Sequence, residues 1–166
     1  MSTTLHDFSA AVENLISTNR DAEQGFRAAA DAVGDPGMKR MFVDLSTQRA
    51  GFATELQDAV RKLGFEPSNP LGTGGTLHGV WISIKGAIMG NDAHNILEEA
   101  ERGEDHAVHA YGSALSLILQ PDLRGVVERQ FAAIQESHQR IRTLRDQTAP
   151  PPETPEPARE ALKPVC

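Results

Sequence analysis

The sequence predicts an all-α protein built as a four-helix bundle. Four segments of about 25 residues each carry one narrow apolar stripe whose members recur every three or four residues, as in an amphipathic helix. Short sequences rich in glycine, aspartate and proline separate the first segment from the second and the third from the fourth. The β-branched alternation that is typical of strands is missing from the sequence.

The first hairpin is predicted from its turn residues. Thr4, with Asp7 three residues later, resembles a capping box before the first helix. Gly34-Asp35-Pro36 ends this helix and begins the second, with the aspartate as N-cap and the proline at the first helical position. Gly64 closes the second helix.

A long connection leads to the second hairpin. Residues 64–75 lack periodicity, and Thr76 then caps a short amphipathic segment, LHGVWISIKGAIM, which predicts a small extra helix in a crossover. Gly90-Asn91-Asp92 begins the third long helix, which is predicted to reach about Leu119. Pro121 opens the fourth helix, predicted to reach about Asp146. The sequence therefore predicts two helical hairpins joined by a long crossover.

Composition and charge exclude several classes of protein. The net charge of −7 disfavours nucleic acid as a partner, because a basic stripe that could follow phosphates is missing. We expect neither a secretory signal nor a membrane span, and therefore a cytoplasmic protein. A single cysteine, Cys166, excludes an internal disulfide framework. We expect one bundle domain at residues 3–147 and a disordered tail at residues 148–166, which holds six of the ten prolines.

Polar residues interrupt the apolar stripes near the middle of each helix. Buried polar and charged groups are costly unless they are paired or bind a metal, so interruptions at matching depth indicate a shared polar layer. His106 and His109 lie off the stripe and are expected to face water. The predicted buried layer consists of Asn19, Gln48, Arg49, Glu101, Glu104, Gln135 and His138.

Five stretches of the chain resemble a bacterial ferritin-like family that is known only as a domain of unknown function. They are AAADAVGDPGMKRMF, TQRAGFATELQ, TLHGVWISIKGAI, ILEEAERGEDHAVHAY and HQRIRTLRD, and they spread the resemblance over residues 3–146. The resemblance implies the ferritin-like fold and a link to stress. In that superfamily a Glu on two helices and Glu-x-x-His on the other two bind two iron or manganese ions.

The ligand pattern of that superfamily is incomplete in this chain. Glu104 matches a ligand position, but Asn19 stands where the matching carboxylate belongs. Gln135-x-x-His138 has glutamine in the first place of Glu-x-x-His, and Gln48-x-x-Gly51 lacks both ligands. The resemblance therefore implies a degenerate di-metal site.

Three hypotheses for function follow. The favoured one is a non-catalytic protein without a cofactor, in which Arg49 pairs with Glu104 or Glu101 and supplies the charge of a lost metal. In the second, Glu101, Glu104 and His138 bind one iron, manganese or zinc ion, with residual ferroxidase or oxidase activity as the enzymatic variant. In the third, the bundle is a scaffold or cargo module that docks a protein partner through its C-terminal tail. The sequence leaves a homo-oligomer open.

Overall fold

The computed structural model describes residues 2–67, 92–117 and 120–151, with side chains from Asp7 onward. Four long helices occupy this part of the chain, and it contains no strand. They are α1 (Ser2–Ala32), α2 (Pro36–Lys62), α3 (Ala93–Leu115) and α4 (Pro121–Thr148). The predicted all-α four-helix bundle is confirmed. The predicted crossover helix and the tail from residue 152 lie outside the described residues.

Most of the predicted helix boundaries are correct. Asp35 caps α2 by accepting a hydrogen bond from the backbone N–H of Met38, and Asp92 caps α3 in the same way. Gly64 ends α2 with φ of 83°, a conformation that favours glycine. The capping box at Thr4 is wrong, because α1 already begins at Ser2 and places Thr4 inside the helix. The third helix ends at Leu115, four residues before the predicted Leu119.

The packing partners define a square arrangement of helices. Helix α1 packs against α2 and α3, and α4 packs against α3 and α2, so α1/α4 and α2/α3 are the diagonal pairs. The N-terminal half of α1 shares a core cluster with the C-terminal half of α3, so these two helices are antiparallel. Since α2 is also antiparallel to α1 across a short turn, α2 and α3 run in the same direction. The C-terminal end of α2 and the N-terminal end of α3 therefore lie at opposite ends of the bundle.

The apolar core consists of two clusters at opposite ends of the bundle. One cluster contains Leu15, Leu56, Tyr111 and Val127 among its buried members. The other contains Phe26, Phe42, Leu97, Ile141 and their neighbours. In each helix the residues of one cluster are separated from those of the other by a stretch that contains buried polar side chains. This central layer is the part of the fold that apolar packing does not explain.

Candidate functional site

An ion pair between Arg49 and Glu104 lies at the centre of the bundle. Both side chains are 0% exposed. Nη2 of Arg49 lies 2.8 Å and 2.7 Å from the two carboxylate oxygens of Glu104. The pair connects α2 with α3, which are diagonal to each other, so the bond crosses the middle of the bundle. Of the two partners expected for Arg49, Glu104 and Glu101, the structure shows Glu104 in contact with it.

Ser137 on α4 completes the central contact. Its hydroxyl donates to Oε2 of Glu104 and lies 2.8 Å from Nη2 of Arg49, from which it accepts. Ser137 is also within 2.9 Å of the carbonyl oxygen of Ile134, one turn earlier. A small side chain is needed here because the guanidinium and the carboxylate fill the space that a larger residue on α4 would take. Three of the four helices thus contribute to one buried polar contact.

Two phenylalanine rings flank the guanidinium. Cζ of Arg49 lies 5.9 Å from the ring centroid of Phe26 and 5.6 Å from that of Phe52. Aromatic faces attract a desolvated cation, so both rings stabilise the buried charge. Nε and Nη1 of the guanidinium have no hydrogen-bond partner among the described residues. Arg49 therefore has its charge compensated, while two of its donor nitrogens form no hydrogen bond with the part of the chain that the structure describes.

The electrostatics of Glu104 reflect two opposing effects. Burial raises the pKa of the Glu104 carboxyl above its ordinary value, because the charged form loses its hydration. The charge of Arg49 and the hydroxyl of Ser137 lower this pKa, and His138 adds a smaller effect in the same direction. The positive charge of Arg49 is thus the largest of the effects that favour the ionised form of this buried carboxyl. If Arg49 were removed, no cation would contact Glu104, and burial would raise the pKa of its carboxyl further.

A second hydrogen-bonded chain links all four helices beside the ion pair. Nδ2 of Asn19 lies 2.6 Å from the hydroxyl of Tyr111, which donates to Oε1 of Gln130 at 2.7 Å. Nε2 of Gln130 donates to Glu55 at 2.7 Å, and Glu55 pairs with Arg129 at the surface. Burial raises the pKa of Tyr111 to about 12, so its phenol stays protonated and acts as a donor.

Glu101 and His138 do not join the central contact. Glu101 is buried, but its Oε2 lies 2.5 Å from Nη1 of Arg145, an ion pair rather than an aligned hydrogen bond. Nε2 of His138 lies 2.7 Å from Oδ1 of Asp105, which is largely exposed. Both contacts join α3 to α4 near the surface of that seam. The three side chains that were predicted as metal ligands are therefore engaged with three different partners.

Two other predicted members of the layer also lie elsewhere. Gln135 is exposed on α4, so its assignment to the buried layer is wrong. Gln48 is half-buried and lines a groove between α2 and α4. The reason for the first error is the orientation of α4, whose central stripe runs through Leu123, Val127, Gln130, Ile134, Ser137 and Ile141. The large apolar side chain of Phe131 suggested a stripe rotated by one residue. That rotated stripe placed His138 and Gln135 in the buried layer.

Sequence reasoning missed several buried polar residues, of which Gln130 and Ser137 matter most for the site. The spacing of four and three residues along the true α4 stripe is regular and was available as a signal. His106 and His109 are exposed, as expected. The other buried polar residues that were not predicted are Thr18, Ser46 and Gln57.

The donor set does not fit a metal ion in this arrangement. Within residues 2–67, 92–117 and 120–151, no three His, Cys, Asp or Glu side chains come together as a group that could hold a metal. Both oxygens of Glu104 already accept from Arg49, and one also accepts from Ser137. The site can neutralise and orient a buried charge, and its geometry supplies no set of converging metal ligands.

Comparison with known families assigns the chain to one of them. A family profile matches residues 7–117, which is more than half of the 166 residues. The chain belongs to the family described as "Domain of unknown function (DUF2383)". The matched range of this DUF2383 protein includes α1, α2 and α3, with Asn19, Arg49 and Glu104, and it ends before α4. No curated protein matches the sequence. None of the helices in the described ranges is long and apolar enough to cross a membrane.

Proposed function

We propose that this DUF2383 protein is a non-catalytic ferritin-like bundle in which the Arg49–Glu104 ion pair replaces a metal site. The observation that carries the proposal is the complete burial of both side chains in direct contact at the centre of the bundle. An ion in this position of a ferritin-like bundle would be held by carboxylates and histidine from several helices. Here the guanidinium supplies the positive charge from within the chain.

The contacts around the pair support this proposal. Arg49 reaches Glu104 from the helix diagonal to α3, so the cation sits between the helices rather than on one face. The ring centroids of Phe26 and Phe52 lie 5.9 Å and 5.6 Å from Cζ of Arg49, so apolar groups rather than further ligands stand next to the cation there. His138, the histidine of the degenerate motif, bonds to Asp105 instead. A link to stress rests on the family resemblance alone and is part of the proposal.

Metal analysis combined with thermal unfolding tests the proposal. Protein purified without an affinity tag should contain substoichiometric iron, manganese and zinc, and a chelator should leave its Tm unchanged. Removal of a bound metal present at about 100 times its Kd would cost about 2.7 kcal/mol. For a chain of this length that corresponds to a fall in Tm of roughly 5–10 °C.

The outcomes are distinct for the two hypotheses. A stoichiometric metal together with a chelator-induced fall in Tm would overturn the proposal and favour a metal site formed by Glu101, Glu104 and His138. The matched control is Glu104→Gln measured in the same way. If the ion pair is the native state, this variant loses stability equally with and without chelator, because no metal is involved in the loss.

A further inference from the structure

The two unbonded nitrogens of Arg49 carry a further inference. Arg49 is 0% exposed, yet Nε and Nη1 have no partner among the described residues. The rings of Phe26 and Phe52 attract the charge of the guanidinium, but an aromatic ring is at most a weak hydrogen-bond acceptor for Nε–H and Nη1–H. Buried donors without an acceptor are strongly unfavourable, so something must accept these hydrogens.

A groove runs between α2 and α4. It has a volume of about 1090 Å³ and is lined by side chains of α2 between Thr47 and Lys62, although not by Arg49 itself, and by Leu63, Asp122, Leu123 and Val126. In the described part of the chain, α2 and α4 form the loosest of the four helix contacts, and the groove follows this contact.

Two side chains connect the groove with Arg49. Phe52 lines the groove and also has its ring 5.6 Å from Cζ of Arg49, so a single side chain separates the guanidinium from the groove. Gln48, the residue before Arg49, lines the same groove, and its buried Oε1 has no hydrogen-bond partner among the residues that the structure describes. An acceptor without a described partner therefore lines the groove that Phe52 separates from the guanidinium.

The chemistry of these groups selects the ligand. Arg49 offers hydrogens and needs an acceptor, whereas Oε1 of Gln48 needs a donor. An anion would satisfy only the arginine and a metal cation only the amide oxygen, but a neutral molecule with both functions satisfies both. Water is the smallest such molecule, and buried waters that bridge unsatisfied polar groups are a regular part of protein interiors.

We propose that the interface of α2 with α4 contains a hydration site, in which water from the groove binds Nε or Nη1 of Arg49 and Oε1 of Gln48. The site deepens the proposed function, because it rests on the same buried ion pair. The protein neutralises the charge of the guanidinium through Glu104, and the water supplies a hydrogen-bond acceptor that the described residues do not provide. The buried pair is thereby coupled to solvent through one side of the bundle.

Side-chain NMR of the full ¹⁵N-labelled chain tests the site. The Nε–H hydrogen of Arg49 should exchange with solvent on the order of 100-fold faster than the backbone amide of Ala53, which lies in the core of the same helix. A cross-relaxation signal between this hydrogen and water should also appear. The substitution Gln48→Leu should slow the exchange by roughly tenfold, because it removes the group that holds the water from the other side.

The matched control is Thr47→Val. Thr47 lines the same groove, but its hydroxyl bonds to the carbonyl oxygen of Val43 and does not face the arginine route, so the exchange should stay unchanged. Exchange of both the Nε–H and the Nη1–H hydrogens of Arg49 as slow as that of the Ala53 amide would overturn the hydration site. The wild-type measurement decides this even if a variant fails to fold. If the signals of Nη2 show no bond to Glu104, the proposed ion pair itself is wrong.

Discussion

Breaking the central ion pair from one side should destabilise the bundle strongly. In Arg49→Met the carboxylate of Glu104 stays in a position that is 0% exposed, and only the hydroxyl of Ser137 remains bonded to it. Removing one partner of a buried ion pair costs about 3–5 kcal/mol, because the other charge is left without compensation. For a chain of this length the Tm should fall by roughly 6–20 °C.

Removing both charges should cost less than removing one. In the double variant Arg49→Met/Glu104→Met no buried charge remains, and Ser137 keeps its bond to the carbonyl oxygen of Ile134. Replacing a buried pair by apolar residues of similar size is often neutral or stabilising by about 1–4 kcal/mol. The double variant should therefore be more stable than either single variant, which is a large favourable coupling in a double-mutant cycle.

The pH dependence of stability provides an independent check that Arg49→Met leaves the charge of Glu104 uncompensated. In Arg49→Met the pKa of Glu104 should rise further, because burial raises it and the main opposing charge is gone. A carboxyl whose folded pKa exceeds its unfolded value contributes stability that is present at low pH and lost as the pH rises through the folded pKa. The deficit of Arg49→Met relative to wild type should therefore be smaller at acid pH than at neutral pH.

Urea unfolding followed by circular dichroism measures all four proteins of the cycle. The control is Arg20→Met, since Arg20 is partly exposed and pairs with Glu23 within α1, so its loss should cost about 1 kcal/mol or less. Two outcomes would refute the assignment of a coupled buried pair. In the first, Arg49→Met loses as little stability as the control. In the second, the losses of the two single variants simply add in the double variant.

Four further predictions concern other parts of the chain. Tyr111→Phe should cost about 1–3 kcal/mol in urea unfolding, because Oε1 of Gln130 loses its donor inside the core. His138→Ala should change stability by less than about 1 kcal/mol, since its partner Asp105 is exposed, and a larger loss would point to a ligand role. Burial raises the pKa of Asp21 to about 6, so the ionisation of this carboxyl lowers the stability of the fold as the pH rises through 6. The stability of Asp21→Asn should therefore increase relative to that of wild type between pH 4 and 7, by about 1 kcal/mol after allowance for the partial exposure of the side chain. Deleting residues 152–166 should shift the Tm by no more than a few degrees, and a larger loss would show that the tail stabilises the bundle.

The sequence predicted the helices well because their ends are set locally. Asp35 and Asp92 cap helices through their own side chains, and Pro121 occupies a first helical position that any fold would use in the same way. The first helix shows the limit of this reasoning. A capping box at Thr4 is a local option, and in the structure the helix continues past it to Ser2.

The candidate site was predicted in part, and the errors have a common cause. Arg49 is the one charge in the apolar stripe of α2, and Glu104 shares the stripe of α3 with Glu101, so the sequence placed these charges inside but left the partner of Arg49 open. On α4 two stripes one residue apart compete, one through Phe131 and one through Gln130. Hydrophobicity favours the phenylalanine, but the ion pair needs a small residue opposite it, and Ser137 lies on the other stripe. Only the tertiary contact decides between the two.

The position of the ion pair explains why a costly contact is placed at the centre of the fold. Apolar stripes with a spacing of three and four residues pack similarly after a slip of one heptad, so they specify the register between the two hairpins weakly. Arg49 belongs to the first hairpin, whereas Glu104 and Ser137 belong to the second. A slip of α3 by seven residues would place Leu97 or Tyr111 at the depth of Glu104 and leave the guanidinium without a carboxylate. Because an uncompensated buried charge costs several kcal/mol, the pair penalises every register but one. The hydrogen bonds from Asn19 to Tyr111 and from Tyr111 to Gln130 add to this effect, because they also join the first hairpin to the second.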